Sequence, residues 1–395
     1  MRIAQINTSC DAGSTGKICV SVSNLLTSEN VENIILYVSG NSSFQNGVKY
    51  ASDKYIKLQA LKSRILGNYG FNSQYATKRI INELDRIKPD IVHLHNLHGH
   101  NCNLTMLFSY LKENKIKIFW TFHDCWAFTA YCPHFTMAKC DKWKCECNNC
   151  PQIKYYSWFL DRSRFLFNEK KRLFKGLDLT IITPSQWLAD LVKQSFLKDY
   201  PIKVVNNGID LSVFKPTESG FREKNGLSGK KIVLGVAFGW GGRKGLDVFI
   251  ELAKRLQDDY RIVLVGTSNK VDNQLPENII SIHRTQNQKE LAEIYTAADV
   301  FANPTREENY PTVNMESLAC GTPVVTFRTG GSPEILDESC GSVVDCDDVD
   351  GMETEIRKIC EEKPYSVEAC LARAKNFNMD DKFGNYVDLY KQNLL

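Results

Sequence analysis

The sequence predicts an α/β protein with two domains, each built on a parallel sheet. Two observations predict this class. Short apolar strand patterns alternate with amphipathic helix patterns along the chain. The alternation stops in a polar, turn-rich stretch at residues 209–229 and then starts again. A chain of 395 residues is long enough for two domains that each bury a core.

The alternating elements can be followed in both halves of the sequence. In the first half, strands are predicted at 2–7, 33–39, 91–96, 115–124, 179–185 and 202–208, with helices at 16–26, 75–87, 104–112 and 186–194 and a basic surface helix between 41 and 72. In the second half, strands are predicted at 231–237, 261–266, 300–304, 323–327 and 342–345, with helices at 246–256 and 289–298 and two more near the end. Consecutive strands separated by helices favour parallel sheets.

Composition excludes several classes of protein. The net charge of +3 is too small for this length to indicate nucleic-acid binding, so no nucleic-acid partner is expected. No apolar run approaches the ~18 residues of a membrane helix, and the chain opens on a strand pattern instead of a signal peptide. We therefore expect a cytoplasmic location, with association at the inner face of the membrane left open.

The main candidate site is the stretch 303–334. It reads as a strand, a loop, a helix and a second strand, with Glu308 and Glu316 on either side of the loop-to-helix junction. Pro311 suits the first helical turn, because a missing N–H costs nothing there. Backbone N–H groups at a helix start, flanked by carboxylates, suit a ligand that is anionic at one end and rich in hydroxyls at the other. A sugar nucleotide is such a ligand.

Two glycine-containing loops between a strand and a helix are further anion-site candidates. The loop at 8–16 lacks the P-loop pattern, since Asp11 and Ile18 stand where that motif needs Gly and Ser or Thr. The loop at 238–245 lacks the acidic residue that a dehydrogenase places about twenty residues later. Its Arg243 and Lys244 suit a diphosphate, with a solvated basic turn as the alternative.

His123 and Asp124 end the predicted strand 115–124. Ligands of parallel sheets bind at the carboxyl ends of the strands. His123 is therefore a candidate to lie beside a reacting sugar, and a histidine that caps the next loop is the alternative.

Six of the fourteen cysteines crowd residues 125–150. In a reducing compartment such a cluster indicates metal before disulfides. Cys147 and Cys150 have the spacing of a zinc-chelating pair, and Cys132 and Cys140 would complete four thiolates, with Cys145 and His134 as alternative ligands. We predict a structural zinc ion in this insertion (125–151), with free or redox-active thiols as the alternative.

The segment from Lys154 to Lys175 carries seven basic and two acidic residues among many aromatic ones. Basic amphipathic helices with this composition lie on anionic membranes. Packing of the aromatic side chains on their own domain is the other interpretation.

Together these patterns resemble the retaining glycosyltransferases of family 4, which have the GT-B fold. The specific part is Glu308-x7-Glu316 with the following residues 319–324 and 330–334, joined by the segments 184–189, 206–214 and 241–245. Residues 95–101 and 121–129 with the cysteine insertion resemble a subgroup that builds bacterial exopolysaccharides and O-antigens. The resemblance implies two Rossmann-like domains whose parallel sheets face each other across a cleft.

The implied domains are an acceptor-side domain at 1–208, a linker at 209–229 and a donor-binding domain at 230–375. A C-terminal helix at 376–395 would cross back to the first domain. In this family Glu308 would hold donor-sugar hydroxyls, Glu316 the nucleotide ribose and Lys244 the departing diphosphate. The predicted catalytic residues are His123, Lys244 and Glu308. The predicted donor-binding residues are Gly16, Arg243, Lys244, Glu308, Asn309, Tyr310, Pro311, Thr312, Val313 and Glu316.

The implied reaction moves a sugar, with retention, from a nucleoside-diphosphate sugar to a saccharide or lipid-linked acceptor. A UDP-sugar is favoured over a GDP-sugar, and the scheme needs no cofactor or divalent metal for catalysis. Two positions depart from the family: Phe238 replaces an arginine, and Asn309-Tyr310-Pro311 replaces Gly-Phe-Gly. A sugar-nucleotide epimerase and a catalytically silent binding subunit are the alternative functions.

Overall fold

The structure, a computed structural model, describes residues 1–393, and these divide into two compact units. The first unit comprises residues 1–206 and the chain from residue 382 onward, and the second comprises residues 207–381. Each unit contains one parallel sheet with helices along its strands. The predicted α/β class with two Rossmann-like units is confirmed.

The sheet of the first unit has seven strands within residues 2–204. They are β1 (Arg2–Ile6), β2 (Glu32–Tyr37), β3 (Gly47–Lys49), β4 (Ile91–Leu94), β5 (Lys117–Thr121), β6 (Leu179–Thr183) and β7 (Ile202–Val204). Their order is β3-β2-β1-β4-β5-β6-β7, and every pair is parallel. The order reverses at β1, so the carboxyl ends of β1, β4 and β5 are where a ligand of this sheet would bind.

The sheet of the second unit has six strands within residues 231–344. They are β8 (Lys231–Val236), β9 (Tyr260–Val265), β10 (Ile279–Ile282), β11 (Val300–Asn303), β12 (Val324–Phe327) and β13 (Gly341–Val344). Their order is β10-β9-β8-β11-β12-β13, again all parallel. Here β8 and β11 are neighbours in space, and the order reverses between them.

The helices follow the strands in sequence. The first unit has α1 (Gly13–Ser28), α2 (Asp53–Leu66), α3 (Gln74–Ile87), α4 (Leu104–Glu113), α5 (Ser163–Phe174) and α6 (Gln186–Val192). The second has α7 (Phe221–Lys224), α8 (Leu246–Arg255), α9 (Asn269–Asp272), α10 (Gln288–Ala297), α11 (Thr312–Ala319), α12 (Ser332–Ile335), α13 (Val349–Glu362) and α14 (Val367–Ala374). The last helix, α15 (Met379–Gln392), begins in the second unit and continues in the first. None of the helices within residues 1–393 is both long and apolar enough to cross a bilayer.

Burial explains why these patterns form strands. All residues of β4, β6, β11 and β12 are buried, as expected for strands covered on both faces. The segment 209–229 packs into the second unit, where Ile209, Phe214 and Leu227 belong to the core. At the end of the described chain, Tyr386 and Tyr390 of α15 are buried in the first unit.

Several local predictions differ from the structure. The strands β3 and β10 were not predicted; each lies at an edge of its sheet, where most of its residues are only half-buried. The single basic helix expected from Lys154 is wrong in its first half, since helix α5 begins only at Ser163. Pro311 occupies the N-cap of α11, one position before the first turn.

Candidate functional site

In the second unit, Lys244 and Glu308 form an ion pair at the carboxyl ends of two adjacent strands. The Lys244 Nζ lies 2.5 Å from Glu308 Oε2. Lys244 ends a 3-10 turn after β8, and Glu308 lies in the loop after β11, which pairs with β8. The two side chains are 20% and 21% exposed, so the charges are partly desolvated and still reachable. Such a pair offers a cation for phosphate oxygens and acceptor oxygens for hydroxyls.

Two glycines allow the loops around this ion pair to pass closely. Gly330 has a φ of +56°, and a Cβ there would lie 1.9 Å from the Glu308 carbonyl oxygen. Gly245 has a φ of +73°, and its Cβ would lie 2.4 Å from the Pro304 carbonyl oxygen. Any other residue at either position would displace the loop after β11. The position of Glu308 therefore depends on backbone contacts from two other loops.

The loop after β11 leads directly into helix α11. The Asn309 N–H donates to Glu308 Oε1 over 3.1 Å, which orients the carboxylate. Tyr310 is buried, and Pro311 is the N-cap. As the N-cap, Pro311 itself forms no side-chain hydrogen bond to the first turn of α11. The N–H groups of the first turn, at Thr312 and Val313, and the positive end of the helix dipole therefore lie next to Glu308.

Glu316 lies one turn further along α11. Its side chain is half-buried, and its Oε2 accepts a hydrogen bond of 3.2 Å from the Tyr295 hydroxyl. The tyrosine holds one carboxylate oxygen in place. Two carboxylates with different partners thus lie at the start of the same helix.

The predicted diphosphate loop places Arg243 beside Lys244 but exposes it to solvent. The Arg243 Nη1 donates to the Glu307 carbonyl oxygen over 3.2 Å. Phe238, at the position where the family has an arginine, is fully exposed. The loop therefore carries Arg243 and Lys244 as its two cations.

Sequence reasoning missed Arg306, which fixes the loop after β11. Its guanidinium pairs with Asp247 at 2.7 Å and with Asp347 at 2.5 Å, and it also donates to the Gly242 carbonyl oxygen. Arg306 thereby ties the loop that carries Glu308 to the turn that carries Lys244. The only signal in the sequence was an arginine two residues before Glu308.

In the first unit, Gly16 lies inside helix α1, where the preceding loop packs closely. A Cβ at this position would lie 2.9 Å from both the Cys10 carbonyl oxygen and the Ser9 Oγ. Only glycine leaves room for the loop after β1 at this distance. The residue shapes the loop, as expected of a strand-to-helix glycine.

His123 follows β5 and joins a chain of hydrogen bonds in the first unit. Its Nε2 lies 3.1 Å from His95 Nδ1, and His95 Nε2 lies 3.3 Å from Gln5 Oε1. Burial lowers the pKa of His123 to about 4; the charge of Asp124 opposes this shift and that of His98 adds to it. The imidazole is therefore neutral near pH 7, when it can donate or accept a hydrogen bond.

A second polar pair beside His123 was not predicted. The His98 Nε2 lies 2.7 Å from Asp124 Oδ2, and Asp124 Oδ1 accepts from the Trp126 N–H at 2.8 Å. Burial by itself would raise the pKa of Asp124, but His98 holds it at about 2. Burial likewise opposes the charge on His98, but Asp124 raises the net pKa of that imidazole. A charged pair thus lies one residue from a neutral histidine.

The four cysteines predicted to bind zinc all line one cavity of about 20 Å³ in the first unit. No group of three or more histidine, cysteine or acidic side chains is already arranged as metal ligands in the part of the chain that the structure describes. The zinc ion stays a prediction.

Two family models match the chain, one in each half. Residues 18–213 match the family described as Glycosyltransferase Family 4. Residues 218–377 match the family described as Glycosyl transferases group 1. Lys244, Glu308 and Glu316 lie within the residues that match the second of these models.

Among curated proteins, the chain is similar to the colanic acid biosynthesis glycosyl transferase named WcaC of Escherichia coli K12. They are 27% identical over 276 residues, 66% of this chain and 65% of WcaC. It is also similar to the sulfoquinovosyl transferase SQD2 of Arabidopsis thaliana, with 25% identity over 368 residues, 83% of this chain and 65% of SQD2. The chain thus spans 65% of the length of both relatives.

Solved structures with the same fold cover the whole described chain. A sucrose-phosphate synthase from Thermosynechococcus elongatus superposes with a TM-score of 0.72 and 16% identity, over 100% of this chain and 99% of its own. Anabaena HepE in complex with UDP-glucose superposes with a TM-score of 0.71 and 12% identity, over 99% and 100%. These matches confirm the predicted GT-B fold.

Proposed function

We propose that this chain, with its family 4 and group 1 glycosyltransferase domains, transfers a sugar from a nucleoside-diphosphate sugar to a saccharide or lipid-linked acceptor. The observation that carries the proposal is the Lys244–Glu308 ion pair at the start of α11. Diphosphate and sugar hydroxyls are the two parts of a sugar nucleotide, and the pair offers one group for each. The similarity to WcaC supports an acceptor from surface polysaccharide synthesis.

Donor binding would change the partners of the ion pair. A diphosphate oxygen would take over Lys244 Nζ, and a donor hydroxyl would donate to the Glu308 carboxylate in place of the ammonium. Glu316 would accept hydrogen bonds from the two ribose hydroxyls while the Tyr295 hydroxyl stays bonded to its Oε2. The N–H groups at the start of α11 would bind sugar or phosphate oxygens.

In the transfer, the bond between the anomeric carbon and the diphosphate oxygen breaks as the acceptor oxygen bonds to the same carbon. We propose retention of configuration, with the acceptor attacking from the face that the diphosphate leaves. The acceptor proton then moves to the departing diphosphate. Lys244 and Arg243 would stabilise the charge that develops on it, the kind of contact that contributes most when formed in the transition state.

His123 would contribute a neutral hydrogen-bonding group beside the sugar. Its pKa near 4 keeps it uncharged at pH 7, so it can bind a hydroxyl without repelling an oxocarbenium-like centre. This role rests on the proposed reaction. Asn309, Tyr310 and Pro311, which replace the family's glycine-rich loop, would set the choice of donor sugar.

A screen of nucleotides and sugar nucleotides by thermal shift tests the donor class. A true donor raises the melting temperature by mass action, and the shift grows with ligand concentration. We expect UDP-sugars to give the largest shift. Product analysis with the best donor then separates the functions: a new glycosidic bond supports transfer, and an epimerised donor or unchanged substrates would overturn it.

The proposed membrane contact rests on an aromatic surface of the first unit, defined as Leu58, Leu61, Ile65, Trp158, Phe159, Leu160 and Phe165. All seven side chains are exposed, Phe159 by 74% and Trp158 by 53%. The Trp158 N–H donates to the Arg64 carbonyl oxygen over 2.8 Å, which joins the loop to helix α2. Exposed Lys54, Lys57, Lys62 and Arg162 belong to the same segments.

The basic residues around the aromatic surface favour an anionic bilayer over a second copy of the chain as its partner. Apolar and aromatic groups flanked by cations fit the interface of an anionic bilayer. A second copy of this chain is disfavoured, because a symmetric contact would bring like charges together. We propose that this surface holds the enzyme near a lipid-linked acceptor.

Co-sedimentation with vesicles tests the membrane contact. We expect binding to vesicles that contain phosphatidylglycerol, weaker binding at high salt and none to purely zwitterionic vesicles. Phe159→Ser with Trp158→Ser should reduce binding, and Val367→Ser, an exposed apolar position of the second unit, should not. Equal binding of all three proteins would exclude the aromatic surface as the contact.

A further inference from the structure

The cysteine insertion of the first unit folds with little regular structure. Between residues 130 and 152 the only helical element in the described chain is the 3-10 turn Lys142–Lys144. Trp143 anchors the segment: it is buried, and its ring lies 4.9 Å from Phe135 and 5.1 Å from Phe128. A loop held by a few aromatic side chains needs another source of stability to keep one conformation.

Four thiols of this segment come together around one space. Cys132, Cys140, Cys147 and Cys150 line the same cavity of about 20 Å³. A volume of this size holds one small occupant.

Two lysine side chains lie beside the cavity, and a carboxylate oxygen of Asp161 accepts the Cys150 N–H. Lys142 lines it and is held by the carbonyl oxygens of Asn148 and Asn149, both at 3.0 Å. Lys170 is completely buried nearby, where its Nζ donates to two backbone carbonyls. An anionic centre at the thiols would stabilise both ammonium groups.

We propose that Cys132, Cys140, Cys147 and Cys150 bind one Zn²⁺ ion that holds the insertion in place. Zinc bound by four thiolates carries a net charge of −2, which matches Lys142 and Lys170. On binding, the four thiols release four protons to solvent, and four Zn–S bonds of about 2.3 Å form. Nothing is oxidised or reduced.

Binding also requires the sulfurs to turn towards a common centre. The described residues hold no group already spaced as metal ligands. A rotamer change at χ1 moves a cysteine sulfur without moving the backbone, so four thiols around one cavity can converge. The Cys147-x-x-Cys150 pair supplies the chelating half of the site.

The neighbouring Cys145 offers a matched control. It lies in the same segment but is exposed and does not line the cavity. The described cysteines form no disulfide. Replacing Cys145 therefore removes one cysteine of the insertion but leaves all four thiols of the cavity in place.

Elemental analysis of the purified full chain, grown with added zinc, tests the site. We expect about one zinc per chain in the wild type and in Cys145→Ser, and loss of most of it in Cys147→Ser and Cys132→Ser. A chelator should lower the melting temperature of the wild type, and added Zn²⁺ should restore it. A wild type that contains no zinc and melts cooperatively would overturn the proposal, as would equal zinc in all variants.

If Cys132→Ser and Cys147→Ser do not fold, a measurement on the wild type still tests the proposed zinc site. Replacement of the metal by Co²⁺ should give the thiolate-to-metal absorption of a tetrahedral site, in Cys145→Ser as in the wild type. No such absorption would refute four thiolate ligands. Because these measurements need no substrate, they are independent of the proposed transferase activity.

Discussion

The carboxyl ends of the two parallel sheets carry different chemistry. In the first unit, His93 and His95 are buried and His123 beside them is partly buried. Desolvation lowers the pKa of all three, to about 3 for His93 and about 4 for His123. In the second unit, Lys244 and Glu308 form an ion pair whose side chains are 20% and 21% exposed. The first unit thus carries neutral imidazoles beside its charged His98–Asp124 pair, and the second carries the Lys244–Glu308 pair of charges.

Burial accounts for this difference. His93 and His95 belong to a strand and the residue after it, where both faces are covered, so desolvation removes their charge. Lys244 and Glu308 stand on loops beyond the strand ends, where solvent still supports charge. Neutral imidazoles suit hydroxyl groups, and charges suit a diphosphate.

The largest expected effect concerns the charges of the second unit. Lys244→Ala and Glu308→Ala should each lower kcat/KM of transfer by at least ~100-fold, the scale of a lost transition-state charge contact. Lys254→Ala, which removes an exposed lysine that pairs with Glu251 in the same unit, should leave the rate unchanged. Steady-state kinetics with the donor identified by thermal shift give kcat/KM for the wild type and each variant. Near-normal rates in either site variant would refute the assignment of the site.

A smaller effect should come from the backbone that holds Glu308. Gly330→Ala would place a Cβ 1.9 Å from the Glu308 carbonyl oxygen at a φ of +56°. The strain should cost about 1–3 kcal/mol of unfolding free energy and reduce transfer as well. Gly384→Ala in α15, where a Cβ meets open space, should cost nothing. Urea denaturation compares the two, and equal stabilities would show that the loop tolerates a side chain.

The neutral histidines predict a dependence of stability on pH. The folded pKa of His93, about 3, is below its ordinary value of 6.5, so the unfolded chain binds the proton more readily. The free energy of unfolding should therefore fall as pH drops from 6.5, by up to about 1.4 kcal/mol per pH unit for this residue. His93→Gln should reduce that slope when unfolding is measured at several pH values.

Tyr390→Phe provides the control for this slope. It removes the hydroxyl that bonds His93 Nδ1 but no group that titrates in this range. It should lower stability by about 1 kcal/mol at every pH and leave the slope unchanged. A wild type whose stability does not change between pH 6.5 and 4.5 would contradict a neutral buried His93.

The fold class was predictable because its signal is local. Strands such as β4 and β12 are continuous apolar runs, and the helices between them have clear amphipathic spacing. The predicted start of α5 was wrong because aromatic and basic residues continue through 154–162, which form no α-helix. The cysteine set was identified from its spacing, since all four members lie within nineteen residues.

By itself, the sequence determined the alternation of strands and helices, the resemblance carried by Glu308 and Glu316, and the candidate thiols. Only the tertiary structure decided which groups meet. Lys244 reaches Glu308 across 64 residues because β8 pairs with β11, and Tyr390 reaches His93 across 297 residues through α15. Arg306 and the His98–Asp124 pair escaped prediction for the same reason. Periodicity reports which face of an element is buried, whereas contacts between loops depend on strand order, which leaves no local pattern.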